Sequence, residues 1–241
     1  MIEDITINQR LKIISTYLSR GTIFADIGSD HAFLPAYVCL NDSSARAIAG
    51  EVNEGPYQRA LETVKKYELS SVIDVRLGDG LDVLKKNEIR ELVIAGMGGT
   101  LITTILEKGK EKLGAVERII VQPNINERKV REWLYSNQFR IRDEKMIKEN
   151  GHIYEVIVGE RVKDKQQTYE MDSLSAEELK KQLMFGPFLL KSKTAVFYEK
   201  WNEQKNKHKN IIEQMKQAQV RNESKIEQFE KELKWIEEVL S

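Results

Sequence analysis

The chain has 241 residues, and its 38 Lys and Arg residues equal its 38 Asp and Glu residues, so the formal net charge is zero. This balance excludes a histone-like basic protein and an acidic disordered tail, although a local basic face could still bind nucleic acid. The single cysteine, Cys39, excludes an intrachain disulfide bond and a metal site built from several cysteines.

The chain starts with an acidic segment, residues 1–4, which lacks the basic and apolar regions of a signal peptide. No apolar run reaches the length of about 18 residues that a membrane-spanning helix needs. The three histidines are widely separated, so we expect no metal site. We therefore expect a cytoplasmic protein with no membrane partner and no bound metal.

Residues 1–160 alternate short apolar strands with segments of helical periodicity, a pattern typical of an α/β fold with a mostly parallel sheet. Two segments, 56–67 and Glu127–Ser136, have the spacing of amphipathic helices. Asn150-Gly151 separates two further extended stretches, 140–148 and 152–159, and predicts a closing antiparallel hairpin. The predicted parallel strands are Ile23–Ile27, 45–50, 72–77, 92–95 and 118–121.

The remaining residues, 162–241, are predicted to form a separate helical domain. Ser175 and Glu178 form a capping-box pattern at the start of one helix, and Gly186-Pro187 interrupts that helix. Two longer helices are expected over 194–218 and 224–240, and the second has apolar residues at heptad spacing. These two helices predict an antiparallel coiled-coil hairpin. The sequence leaves the oligomeric state open, with a monomer preferred.

The stretch after the first strand indicates a bound nucleoside cofactor. Gly28 lies at the carboxyl end of that strand, where a glycine allows a ligand to approach the backbone. Glu51 ends the second strand, where an acid can accept hydrogen bonds from both ribose hydroxyls. Val52 follows it directly. The two strand ends therefore predict a site for a ribose-bearing cofactor.

The charge at this site favours S-adenosylmethionine. Asp30 and Phe33 occupy places where the nicotinamide fingerprint requires glycines, and the chain has no Walker-type phosphate loop. Asp26 adds negative charge where a pyrophosphate would have to bind. The sulfonium and ammonium groups of S-adenosylmethionine are cationic, so the same charge would attract them.

Two stretches further along are candidates for the substrate side of the site. Gly96, Met97 and Gly98 follow the fourth strand and leave room for a planar base beside the cofactor methyl group. Gln122 and Asn124 follow the fifth strand and carry amides that could read a base edge or hold a loop. Trp133, Trp201 and Trp235 are expected in the core or the helix seam instead.

Several motifs together resemble one family. Residues 26–31, DIGSDH, look like motif I of class I S-adenosylmethionine-dependent methyltransferases, with Asp30 and Ala32 in place of its second and third glycines. The set ADIGSDHAFLP, GDGL, IAGMGGTLI, VQPN and ENGHIYEVI resembles bacterial tRNA methyltransferases that act on N1 of adenine 22, over residues 5–160. The resemblance implies a Rossmann-like methyltransferase domain over 1–161, followed by a helical domain over 162–241.

The resemblance also implies roles for individual residues. It assigns Asp79 to the adenine amine of the cofactor. The implied cofactor-binding set is Asp26, Gly28, Ser29, His31, Glu51, Val52, Gly78, Asp79, Gly80, Gly96, Met97 and Gly98. The charge and position of the residues themselves, and not the resemblance, indicate the catalytic candidates Asp26, Asp30, Met97, Gln122 and Asn124.

A tRNA substrate requires basic residues that contact phosphates. The candidates cluster before the first strand, around the predicted helix Glu127–Ser136 and along the long C-terminal helix: Arg10, Lys12, Arg128, Lys129, Arg131, Lys145, Lys200, Lys205 and Lys207. Two alternatives stay open at this point. One is a methyltransferase that acts on a small molecule, and the other is a non-catalytic scaffold protein that uses the helical hairpin to recruit a partner.

Overall fold

The computed structural model describes residues 5–162 and 170–241. The acidic segment 1–4, on which the expectation about a signal peptide rests, lies outside the described residues. The centre of the structure is a seven-stranded sheet in the order β3-β2-β1-β4-β5-β7-β6. All pairs are parallel except those of β7, which runs antiparallel to β5 and β6. The strands are β1 (Ile23–Ile27), β2 (Arg46–Glu51), β3 (Ile73–Leu77), β4 (Glu91–Met97), β5 (Arg118–Pro123), β6 (Phe139–Glu149) and β7 (His152–Arg161).

Helices cover both faces of the sheet, because its strands are apolar on both sides. The helices are α1 (Gln9–Thr16), α2 (Phe33–Asn41), α3 (Glu54–Lys66), α4 (Gly99–Lys108) and α5 (Glu127–Ser136). One apolar layer joins α1, α2 and α3 to the sheet through residues such as Ile14, Leu34 and Ala60. The opposite layer joins α4 and α5 to the sheet, through Ile102 and Val130 among others.

The predicted α/β fold is confirmed, with each predicted strand within two or three residues of its observed bounds. The antiparallel hairpin is also confirmed, and Asn150 and Gly151 both have positive φ in its turn. Helices α1 and α4 were not predicted. Helix α1 spans only eight residues, and its start depends on a local cap in which the Asn8 side chain accepts a hydrogen bond from the Leu11 N–H.

The C-terminal part contains α6 (Ala176–Phe185), α7 (Pro187–Ser192), α8 (Ala195–Gln217) and α9 (Glu223–Leu240). The predicted capping box and the break at Gly186-Pro187 are both present. Ion pairs from Lys209 to Glu237 and from Lys216 to Glu230 show that α8 and α9 run antiparallel. In the predicted seam Ile226 and Ile236 are buried, whereas Phe229, Leu233 and Leu240 are only half-buried, so coiled-coil packing stays a prediction.

The strand order reverses between β1 and β4, and this reversal opens a crevice at the carboxyl ends of the central strands. Within residues 5–162 and 170–241, no helix is both long and apolar enough to cross a membrane. The same part of the chain contains no cluster of three or more side chains that could hold a metal ion.

Candidate active site

A cavity of about 880 Å³ lies at the carboxyl ends of β1, β4 and β5. Helix α1 and the β6–β7 hairpin supply the rest of its wall. A second cavity, of about 1000 Å³, lies at the opposite edge of the sheet, where Arg118 pairs with Glu91 and Glu160. The first cavity is the candidate site, because it contains the residues that follow β1 and β4.

The turn between β1 and α2 adopts a left-handed backbone over several residues. Gly28 has φ +70°, and its N–H donates to the Gly50 carbonyl at 2.9 Å. Asp30, His31 and Ala32 have φ values of 44°, 69° and 56°. The backbone here therefore keeps the conformation that glycines adopt readily, although Asp30 and Ala32 stand in place of the motif's second and third glycines. Each such non-glycine residue costs about 1 kcal/mol or more, a strain that functional sites commonly carry.

Asp26 is a buried acid near the end of β1. Its carboxylate accepts a hydrogen bond from the Ser29 hydroxyl at 2.7 Å. Burial raises the pKa of Asp26 to about 7; the Ser29 hydrogen bond and the charge of Arg10 oppose this rise, and Glu51 and Asp30 add to it. The carboxylate therefore lacks a full counter-charge, and a cationic ligand would supply one.

Glu51 ends β2, the strand that pairs with β1, two residues beyond the β2 partner of Asp26. Its side chain is buried, and its Oε1 atom has no hydrogen-bond partner in the described part of the chain. Burial raises the pKa of Glu51, while a hydrogen bond from the Asp30 backbone N–H lowers it. A buried carboxylate oxygen without a donor is costly, so a ligand hydroxyl would stabilise it. This orphaned oxygen fits a ribose.

The remaining predicted cofactor residues lie beside Glu51 at the same edge. The Gly78 N–H donates to the Glu51 carbonyl at 2.8 Å, which ties the end of β3 to the end of β2. Asp79 follows Gly78 in the chain and is exposed, and Gly80 has φ +53°. Val52 is 58% exposed. The structure thus brings together the acids after β1, β2 and β3, as the sequence predicted.

A bulge at Gly96 interrupts the β4–β5 ladder, and two side-chain amides replace the lost backbone hydrogen bonds. Gln122 accepts from the Gly96 N–H at 3.1 Å, and Asn124 donates to the Gly96 carbonyl at 2.8 Å. Gln122 also donates to Asn124 and is fully buried. The amide of Gln122 is thus satisfied inside the protein, which favours the alternative that it holds the loop. A contact between Gln122 and the substrate stays a prediction.

Met97 connects the ends of β4 and β1. A Cβ atom placed on Gly28 would overlap the Met97 methyl group, which lies at the end of a flexible side chain, so the positive φ of Gly28 is the stronger reason for glycine there. Gly99 is constrained by contact, since a Cβ there would overlap the backbone of Asn126. Met97 thus lies at the centre of the predicted meeting point of base and cofactor.

Arg10, which was predicted to contact RNA, lies in the wall of the cavity. Its guanidinium donates to the Gln122 side-chain oxygen and lies 5.2 Å from the centre of the Tyr154 ring. Tyr154 also lines the cavity, yet the sequence assigned it no role. The signal was present in the ENGHIYEVI segment, where strand alternation places His152 and Tyr154 on one face.

The geometry agrees with comparisons to known proteins. A family model described as tRNA (adenine(22)-N(1))-methyltransferase matches residues 24–238. A Bacillus subtilis protein of that name is 42% identical over 241 residues, 99% of each chain. The chain belongs to the tRNA (adenine(22)-N(1))-methyltransferase family.

Solved structures of proteins from this family support the fold. The crystal structure of the B. subtilis M1A22 tRNA methyltransferase TrmK is 41% identical, with a TM-score of 0.88, over 98% of this chain and 100% of that one. The M. capricolum TrmK structure, solved with S-adenosylhomocysteine, is 25% identical, with a TM-score of 0.79, over 97% of both chains. The helical C-terminal part is therefore included in the match, and the Rossmann-like fold is confirmed.

Two predicted RNA-binding residues are contradicted by the structure. Arg131 is fully buried and pairs with Glu144 at 2.6 Å and with Glu155. Lys200 is also enclosed, with its ammonium group bound by Glu127 and by Glu155 at 2.6 Å. Both cations neutralise buried carboxylates between the sheet and α8, so neither reaches a phosphate. Sequence spacing alone could not distinguish them from surface lysines and arginines.

The other basic candidates lie closer to solvent. Lys12, Lys129, Lys145 and Lys207 are exposed, and Lys205 is half-buried. Arg128 pairs with Glu132 and with Glu232 of α9, so part of its charge is already compensated. These residues are compatible with RNA contact.

Proposed function

We propose that this protein transfers a methyl group from S-adenosylmethionine to N1 of adenine 22 in tRNA. The observation that carries this proposal is the pair of buried carboxylates, Asp26 and Glu51, neither of which forms an ion pair in the described residues. They lie in the crevice at the carboxyl edge of the sheet, in a chain of the tRNA (adenine(22)-N(1))-methyltransferase family. The named relatives include one solved with S-adenosylhomocysteine.

The residues present fit this cofactor. The unpartnered Oε1 of Glu51 would accept hydrogen bonds from the ribose hydroxyls, and Asp79 beside it would face the adenine amine. Asp26 would balance the charge of the cationic methionine moiety, with Ser29 holding its carboxylate. His31 and the glycines after β1, β3 and β4 would shape the walls. When bound, S-adenosylmethionine supplies an electrophilic methyl group on its sulfonium.

The chain itself has to position the base and exclude water. Neutral adenine already carries a lone pair at N1, so alignment and desolvation contribute most of the rate, and we assign no general base. The N1–methyl bond forms as the sulfur–methyl bond breaks, and the positive charge passes to the base. Asp26 and Asp30 would stabilise that charge. Asn124 and Met97 hold the turn against which the base would rest.

Adenine N1 is normally paired, so the enzyme must extrude the base or act on it when it is unpaired. The exposed lysines would bind tRNA phosphates, and α8 and α9 would form an arm that positions the tRNA. We include in this proposal a cytoplasmic location and a domain boundary between residues 161 and 162; the oligomeric state stays open, with a monomer preferred.

The test is to incubate the purified protein with a tRNA transcript and labelled S-adenosylmethionine, and then to map the modified nucleotide by mass spectrometry. We expect one methyl group per tRNA, located at N1 of adenine 22. A transcript with guanine at position 22 is the matched control and should remain unlabelled. Equal labelling of both transcripts would overturn the site assignment.

A further inference from the structure

The loop between β5 and α5 is braced tightly against the loop between β4 and α4. The Asn124 N–H donates to the Met97 carbonyl at 2.8 Å, and the Gly99 N–H donates to the Ile125 carbonyl at 2.8 Å. Asn126 has φ +61°, and its carbonyl lies so close to Gly99 that no side chain would fit there. The loop backbone is therefore held from both sides and cannot adjust easily.

This rigid loop displays an isoleucine to solvent. Ile125 is 62% exposed, although its neighbour Asn124 lines the catalytic cavity. Leu101, in the first turn of α4, is 52% exposed on the adjoining segment. Single exposed apolar residues are common on protein surfaces. Ile125 also packs against Gly98, just before α4 begins, so the two exposed aliphatic residues belong to two braced segments beside the cavity, which is a more specific arrangement.

Polar groups next to Ile125 suit a nucleic acid. Lys129 is exposed, and its ammonium group lies 3.2 Å from the Thr100 hydroxyl, to which the Asn126 amide also donates at 3.4 Å. A cation and two polar side chains thus lie on the same two segments as the exposed aliphatic residues. Phosphates would bind the cation while bases contact the apolar side chain. Proteins that open stacked nucleic acids commonly insert isoleucine or leucine between bases.

We propose that Ile125 is a wedge that packs against the bases next to adenine 22 and holds the adenine outside its stack, in the catalytic cavity. This inference rests on the proposed function. The braced loop supplies the rigidity that a wedge needs, since a flexible loop would yield before the stacked bases did. Lys129 would bind the neighbouring phosphate.

The test compares Ile125→Ala with the conservative variant Ile125→Leu in the full chain. Ile23→Ala is the matched control, because Ile23 is a solvent-exposed aliphatic residue, 43% exposed, at the amino end of β1, away from the cavity. Two tRNAs are used: one with the ordinary nucleotide opposite adenine 22, and one with an abasic residue there, so that adenine 22 is unpaired. Calorimetry with S-adenosylmethionine checks that each variant keeps an intact cofactor site.

For Ile125→Ala we expect kcat/KM on the ordinary tRNA to fall by about tenfold or more, and on the abasic tRNA by less than about threefold. Ile125→Leu should retain most of the activity, and Ile23→Ala should match the wild type. With 2-aminopurine at position 22, the wild type should raise the fluorescence more than Ile125→Ala does.

An equal loss on both tRNAs would overturn the wedge, because it would indicate a defect in binding or folding. No loss on either tRNA would overturn it as well. A wild-type protein that methylates neither tRNA would overturn the proposed function itself, and this result differs from both of the others.

Discussion

Two regions of this molecule bury carboxylates. In one region the carboxylates form ion pairs with buried cations, and in the other they form none within the described residues. At the junction between the sheet and α8, Glu155 is bound by Arg131 and Lys200. Burial raises the pKa of Glu155, but the two cations outweigh burial, and the pKa lies below its ordinary value. At the carboxyl edge of the sheet, burial raises the pKa of Asp26 to about 7, and no adjacent cation offsets it fully.

This difference in pairing distinguishes carboxylates that stabilise the fold from carboxylates whose charge a bound ligand could compensate. A buried carboxylate that is fully paired holds elements together, and its loss leaves an uncompensated partner. A buried carboxylate without a pair costs stability in the unliganded protein and is tolerated where a ligand supplies the missing charge. The two regions therefore predict opposite responses to the same kind of substitution.

The largest effect is expected at the paired region. Arg131→Met would leave Glu144 and Glu155 buried together without their shared cation, and should lower the free energy of unfolding by about 3–5 kcal/mol. Urea denaturation followed by circular dichroism measures this. The control is Arg128→Met in the same helix, whose half-exposed pairs contribute about 1 kcal/mol or less. If both variants lost a comparable free energy of unfolding, the buried pairs of Arg131 would contribute no more to stability than the half-exposed pairs of Arg128.

Asp26→Asn should have the opposite effect on stability and a large effect on the cofactor. Removing a charged hydrogen-bonding group should weaken S-adenosylmethionine binding by about ten- to a hundredfold. Because the folded state raises the pKa of this acid, the unfolded chain loses its proton first, and wild-type stability falls as the pH rises from about 4 to about 7. At pH 8 the variant should therefore unfold at a urea concentration equal to or higher than the wild type. If Asp26→Asn unfolded at a lower urea concentration than the wild type, Asp26 would resemble the paired carboxylates, and the comparison between the two regions would fail.

The same carboxylate predicts a pH dependence of binding. A cationic ligand favours the charged form of Asp26, so the affinity for S-adenosylmethionine should rise by up to about tenfold per pH unit below pH 7 and level off above it. Calorimetry at a series of pH values measures this rise. Asp26→Asn should flatten it, and a rise that persists in this variant would assign it to another group.

Glu51→Gln tests the orphaned oxygen. The amide keeps one acceptor but removes the charge, so cofactor affinity should fall by about tenfold. The free energy of unfolding should stay within about 1 kcal/mol of the wild type or increase. Glu51 forms no ion pair in the described residues, so its replacement leaves no buried cation without a partner. A loss of stability of the size expected for Arg131→Met would instead place Glu51 among the structural carboxylates.

The smallest effects are expected on the surface. Lys207→Ala should raise the KM for tRNA by about two- to threefold, weaken its salt dependence and leave cofactor affinity unchanged. Filter binding at several salt concentrations measures this change. Lys200→Ala should instead lower the melting temperature, because Lys200 pairs with buried carboxylates. If both variants changed only tRNA binding, our assignment of Lys200 to the core would be wrong.

The fold was largely predictable because its signals are local. Strand periodicity, the Asn-Gly turn and the capping box at Ser175 each depend on neighbouring residues, and each is confirmed. The acids after β1, β2 and β3 were also predictable, because parallel strands align their carboxyl ends. The roles of Arg131, Lys200 and Gln122 were not, since burial depends on contacts between distant segments. Arg10 and Gln122, for example, are 112 residues apart in the chain.

The sequence by itself determined the alternation of strands and helices, the positions of the site acids and the resemblance to the family, because these depend on residue type and spacing. Only the tertiary structure decided which of the buried charges are paired and which have no partner in the described residues. It also showed that Asp30 and Ala32 keep the left-handed backbone of the glycines they replace. The physical reason is that burial and hydrogen bonding change the pKa and the available contacts of a side chain, and both depend on segments that meet only in the folded chain.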